Sequence, residues 1–141
     1  MSVAFEQNGQ LIGTMRFVPM THDLTLTEKL QKGANIDPSL LEDSWEVGRL
    51  VLDPAFRHGQ DLLKKCFVLA LCFVCENSSG KNFHASCSYV LSRLYRRFGF
   101  SPIATNVPLP GSDKIYTLIH GALVDISRAL MGSNPVNVES V

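Results

Sequence analysis

Side chains with chemistry to offer fall into a few groups along this 141-residue chain. Arg16 and Arg49 each supply a planar, permanently charged guanidinium whose two-pronged edge matches a carboxylate. Glu46 stands three positions before Arg49. Arg57, His58, Lys64 and Lys65 form a basic group, and Arg57-His58-Gly59-Gln60 falls where a turn opens a helix. Free N–H groups at such a place, helped by the small size of glycine, cradle phosphates. Arg93, Arg96 and Arg97 form a second basic group around Tyr95, a phenol four positions before Gly99. Cys72 and Cys75 make a C-x-x-C, but inside the apolar run from Cys66 to Val74, with no helix-opening Gly or Pro and no second pair to complete a metal tetrad. These two, with Cys66 and Cys87, read as reduced core thiols. His22, His84 and His120 lack convergent partners in the sequence, and no metal is expected.

The elements that must position these groups follow from composition and periodicity. At 45% hydrophobic and 18% charged, a chain this long makes one domain and buries about 70% of the surface its unfolded form exposes. Formal net charge is zero, so no global field favours nucleic acid. No apolar run reaches the length of a membrane span, and the N-terminus has no basic, then apolar, leader pattern; a cytoplasmic protein is expected. Residues 1–131 read as the domain and 132–141 as a disordered polar tail.

Val3 to Val18 alternates around Asn8-Gly9, a dipeptide suited to a tight hairpin turn, and predicts two antiparallel strands. Met20 to Asp43 turns polar, with a short helix at Leu26–Lys32 and otherwise loops. Trp45–Leu52 predicts a third strand stopped by Asp53-Pro54, and Gly59–Glu76 a long, mostly buried helix. Asn82–Ser88 reads as a strand and Tyr89–Phe98 as a helix with Val90, Leu91, Leu94 and Phe98 at helical spacing. Gly99 ends it. Ser101–Ala104 and Tyr116–Val124 are the last strands, parted by Pro108-Leu109-Pro110-Gly111. This order predicts an α/β fold with a mixed central sheet flanked by helices, since a long crossover helix links parallel neighbours while hairpins stay antiparallel.

Three motifs, in order along the chain, carry a family resemblance. Leu94-Tyr95-Arg96-Arg97-Phe98-Gly99-Phe100 resembles the segment of the GNAT superfamily of N-acyltransferases in which a tyrosine lies beside the thioester sulfur and protonates the departing thiolate. Trp45–Pro54 with Arg57-His58-Gly59 resembles the strand and phosphate-binding turn with which that superfamily holds its acyl donor. Gly13-Thr14-Met15-Arg16-Phe17-Val18-Pro19, Glu46-Val47-Gly48-Arg49-Leu50 and Arg93 to Phe100 are together similar to the acyl-homoserine-lactone (autoinducer) synthases and the long-chain N-acyl amino acid synthases. The match runs from about Gly9 to Ile126. Ser92 replaces the glutamate usual in that branch, and against it the N-terminal region that helps enclose the acceptor is expected to be missing, either by truncation or because that wall comes from a partner subunit. Gln60, Asp61 and Leu62 replace the glycines of the turn. A carboxylate 4 to 5 Å from a phosphate costs on the order of 3 to 4 kcal/mol at an effective dielectric near 20, which disfavours coenzyme A pyrophosphate where Asp61 points inward.

The resemblance implies a GNAT-like (acyl-CoA N-acyltransferase) fold and transfer of an acyl group from coenzyme A or an acyl carrier protein to a small-molecule amine. The two basic groups suit an acidic carrier protein. Removing the proton of a peptide-like amine at pH 7 costs roughly 1.4 kcal/mol, within reach of Glu46 acting through water. Tyr95 is the acid, the backbone N–H groups of Leu50, Val51 and Leu52 face the oxyanion, and Arg57, His58, Gly59 and Gln60 bind the donor phosphates. Arg16, Arg49 and Ser88 hold the acceptor. The whole scheme requires strands that splay beside Arg49. Each residue also has a structural use: Glu46 as a solvated strand position, Arg16 and Arg49 as partners of nearby acids, Tyr95 as packing. Two rival functions remain, a non-catalytic acyl- or carrier-binding remnant, with a homodimer compatible with either, and an ordinary acetyl-coenzyme A-dependent N-acetyltransferase.

Overall fold

The computed structural model of the protein describes residues 2–22, 25–53, 55 and 60–131. Arg57, His58 and Gly59, expected to bind phosphate, and the tail 132–141 lie outside the described residues.

Six strands form one sheet in the order β1-β2-β3-β4-β6-β5. Strands β1 (Ser2–Gln7) and β2 (Gln10–Pro19) make the expected antiparallel hairpin. Asn8 and Gly9 take φ of 53° and 79° at its turn, the left-handed pair that matches strand twist. β3 (Ser44–Leu52) lies antiparallel to β2, and β4 (Asn82–Cys87) parallel to β3. The link between those two is α2 (Gln60–Asn77), long enough for the crossover that parallel strands require. α2 stays put because Leu63, Cys66, Phe67, Ala70, Leu71 and Val74 recur at helical spacing and are all buried.

The two faces of β4 divide the molecule. Phe83, Ala85 and Cys87 join the apolar core under α2, where Phe67 packs edge-on against Tyr95 and Phe100. His84 and Ser86 alternate with them and meet α1 (Leu26–Lys32) on the opposite face, through Gln31 and Thr27. α3 (Tyr89–Arg96) follows β4, and Gly99, at φ 92°, turns the chain out of it. Only glycine fits there: a Cβ would stand 2.6 Å from the Asp125 carbonyl oxygen.

Three expectations change. Tyr116–Val124 was expected to be strand throughout, whereas β6 is Ile115–Ala122 and the chain then turns into a helix, α4 (Leu123–Met131). Its buried residues Ile126 and Leu130 lie one turn apart, a helical spacing masked by the apolar run that precedes it. β5 (Ser101–Pro108) runs four residues past Ala104, pairing with β6 through two breaks in register. Between Asp37 and Glu42 a 3-10 turn, Pro38–Leu41, opens on an Asp37 carboxylate that accepts from the Ser39 N–H. The cysteines are all unpaired, and Cys66 and Cys87 are core thiols as expected, but Cys75 is exposed on α2.

Candidate active site

The site begins with a strand that leaves its neighbour. β3 pairs with β4 over Ser44–Glu46 against Asn82–His84 and no further. From Val47 to Leu52, β3 keeps company with β2 alone, and the sheet opens between β3 and β4. An irregularity follows the departure. Thr14 pairs with Val51 but Arg16 with Gly48, so Arg49 and Leu50 together oppose Met15. Arg49 takes φ 50° in that bulge, a left-handed backbone costly for a residue with a Cβ and typical of functional sites. The bulge adds local twist to β3 just where β4 drops away.

On the α1 face of this opening lies a pocket of about 260 Å³ lined by Arg16, Glu46, Gly48, Arg49, Thr25 and Ser86, among others. Sequence-predicted Arg16, Glu46 and Arg49 are thus brought together from β2 and β3. Among the described residues, neither guanidinium has a carboxylate within ion-pair distance, so two exposed positive charges face the pocket. Glu46 is engaged. Its Oε2 accepts from the Thr27 N–H at 2.9 Å, and Thr27 Oγ1 donates to Ser86 Oγ at 3.1 Å. The N-terminal turn of α1 therefore ties β3 to β4 across the mouth of the opening. Thr25 fixes that turn as its N-cap: its hydroxyl accepts from the Glu28 N–H at 3.1 Å and donates to Glu28 Oε1 at 3.0 Å.

Tyr95 approaches from the other side of the sheet. Its ring stands among Phe67, Phe98 and Phe100, with centroids 5.2 to 6.3 Å apart, and only 3% of it is exposed. Burial, with the Cys87 thiol nearby, pushes the phenol well above its ordinary value of 10.0. The Tyr95 phenol is protonated at any physiological pH. Burial likewise pushes the Cys87 thiol up to about 11, so no thiolate competes there. The arrangement is two-sided: the charged groups of Arg16, Glu46 and Arg49 stand on the α1 face, and the phenol packs on the α2 face beside Cys87 of β4.

The remaining predicted residues fall apart. Ser88 is the N-cap of α3, its hydroxyl accepting from the Leu91 N–H at 3.2 Å. Gln60 is the first residue of α2. Leu50, Val51 and Leu52 are on β3 beyond the last β4 partner, with Val51 paired to Thr14 and Leu52 to Gly13. Thr25, Thr27 and Ser86 were missed. Thr25-Leu26-Thr27-Glu28 is a readable T-x-x-E capping signal, and Ser86 follows from the alternation that also places His84 on the α1 face.

Comparison with known proteins then bears on the fold. No family model matches the chain, and no curated protein matches it. Solved structures do. The acyl-homoserine-lactone (AHL) synthase LasI superposes with a TM-score of 0.65 at 16% identity, over 90% of this chain and 66% of that one. TofI, solved with an inhibitor and MTA, gives 0.64 at 16%, over 89% and 65%. An acyl-CoA N-acyltransferase from Pseudomonas aeruginosa gives 0.57 at 20%, over 86% and 66%. The fold is that of the GNAT N-acyltransferases. With autoinducer synthases among the neighbours, the GNAT-like architecture expected from the three motifs holds, and the chain spans just under two thirds of the length of each of these proteins. No helix among the described residues is long and apolar enough to cross a membrane, and no cluster among them is suited to hold a metal ion.

Proposed function

We propose that the protein is an N-acyltransferase that moves an acyl group from a thioester, on an acyl carrier protein or coenzyme A, to an amine that also bears a carboxylate. One observation supports this above the others: a sheet opened beside a left-handed Arg49, with the exposed guanidiniums of Arg16 and Arg49 and a glutamate on one face and a protonated phenol on the other. The autoinducer synthases among the structural neighbours favour this branch.

In this reading the acceptor enters from the α1 face, its carboxylate on Arg16 and Arg49. The amine nitrogen attacks the thioester carbonyl, the C–N bond forms, and the C–S bond breaks. The amine proton leaves through water to Glu46, which keeps one oxygen on Thr27. The thiolate takes the Tyr95 proton from the α2 face, and the phenol is reprotonated from solvent. β3 backbone N–H groups past Glu46 that turn from β2 face the developing oxyanion. The donor's phosphates would fall to Arg57, His58, Gly59 and Gln60.

Purified protein mixed with acyl carrier protein or acyl-coenzyme A and a panel of amino acids should release free thiol, and silence across a broad acyl and amine panel would refute the assignment. A second reading, a binding protein without catalysis, draws on the engagement of Glu46 by Thr27 and the burial of Tyr95. Tyr95→Phe separates the two, because it slows an enzyme and leaves ligand binding by a remnant unchanged.

A further inference from the structure

The two edges of the sheet are built differently. β5 guards its edge with Pro102 and Pro108, two breaks in register against β6, and Asn106 at φ 54°. Such devices deny a neighbouring chain a straight ladder to join. β1, at the other edge, is less guarded: Ser2-Val3-Ala4-Phe5-Glu6-Gln7 holds no proline and no lysine, and its one break in register, between Phe5 and Glu6, leaves the extra residue, Ile12, on β2 and not on the edge strand. Beneath it runs a groove of about 420 Å³ whose walls are five consecutive β1 residues and the outer face of α2. Leu69 and Phe73 stand on that outer face 63% and 44% exposed. An open ladder beside an apolar shelf is a surface built to be covered.

We propose that it is covered by a second copy of this chain, β1 pairing antiparallel with β1 about a two-fold axis at Ala4. The strand is complementary to itself in that register. Val3 of one copy stands opposite Phe5 of the other on the α2 side, a β-branched and aromatic pair of the kind that stabilises sheets. On the opposite side Ala4 meets Ala4, and Ser2 meets Glu6, so the strand's one charge never faces itself. The same axis sets the two α2 helices antiparallel and turns Leu69 and Phe73 towards their counterparts. The interface is isologous and closes at two copies. It uses no residue of the proposed acyltransfer site and stands whether or not that assignment does.

Sedimentation equilibrium of the full chain at roughly 100 μM, a concentration at which a dimer with a micromolar Kd is mostly formed, should return twice the mass of 15.6 kDa. Opposed residues in an antiparallel pair have Cα atoms about 4.5 to 5.5 Å apart, within disulfide reach. Ala4→Cys should therefore cross-link the copies under mild oxidation. Glu6→Cys should not, since its two thiols would be separated by about four strand residues, or roughly 14 Å; wild-type protein is the control for Cys75. Leu69→Lys with Phe73→Lys places like charges against each other and should weaken dimerisation at least tenfold, with the circular dichroism spectrum unchanged. A monomer at this concentration, equal cross-linking at both cysteine positions, or a Kd unmoved by the lysine pair would each overturn the proposal.

Discussion

In the proposed reaction, Tyr95 is the residue on which the chemistry turns. With its ring fixed by Phe67, Phe98 and Phe100, Tyr95→Phe removes one oxygen and disturbs little packing. A general acid contributes typically 10²- to 10⁴-fold, so kcat should fall by about that factor with KM within a few-fold, read by thiol release at saturating donor and acceptor. Arg49 makes a different kind of contribution. A hydrogen bond to a charged group is worth about 1.5 to 3 kcal/mol, so Arg49→Lys, which keeps charge but loses the fork, should raise KM for a carboxylate-bearing acceptor roughly 10-fold or more. An amine without a carboxylate should show no such change, and if both acceptors suffer equally, Arg49 is holding the strand and not the substrate. Both residues were legible as candidates by type and spacing. Their placement on opposite faces of the sheet was not, because facing depends on a bulge between Thr14 and Arg16 that no local pattern announces.

Among the elements, the turn from α3 into β5 and the packing of α4 are decided by glycine. Gly99 combines φ 92° with a would-be Cβ 2.6 Å from the Asp125 carbonyl oxygen and 2.7 Å from the Ile126 Cα. Gly99→Ala should cost at least the 1 to 3 kcal/mol of a misplaced backbone, with the α4 contact adding to it. Urea unfolding monitored by circular dichroism measures this, and a loss below about 0.5 kcal/mol would show that α4 gives way freely. The position was readable as a helix stop, but its second role, as the floor on which α4 rests, requires knowing that α4 exists. That helix escaped notice because Tyr116 to Val124 reads as one apolar run, and periodicity distinguishes a strand from the start of a buried helix poorly over so few residues.

The molecule as a whole is held closed on the α1 face by a buried histidine. His84 is fully buried; its Nε2–H donates to the Leu40 carbonyl oxygen at 2.7 Å and its Nδ1 accepts from the Gln31 amide at 3.0 Å. That tautomer leaves no room for a second proton. His120, which meets Asn82 Oδ1 through its Nε2 at 2.8 Å, lies against the His84 ring, tilted by 44° with centroids 4.8 Å apart. Burial, with the neighbouring His120, lowers His84 from an ordinary value of 6.5 to about 4. The unfolded chain therefore takes up the proton first as pH falls, and this contribution to stability is complete above about 6.5 and lost between 6.5 and 4. Unfolding free energy should drop by about 2 kcal/mol from pH 7 to pH 5, and His84→Gln should flatten that slope, as urea titrations at the two pH values would show. A wild-type slope near zero would mean that Gln31 and Leu40 do not close on His84 in solution. The sequence by itself determined the order of elements through β4, the hairpin at Asn8-Gly9, the crossover helix and the set of charged residues near the opening. Those rest on local sterics and hydrophobic period, which act within a few residues along the chain. Only the tertiary structure decided that Thr27 occupies Glu46 and that His84 clasps Gln31 and Leu40. Each of these is a contact between residues 19 to 53 positions apart, and no local preference encodes a partner that distant.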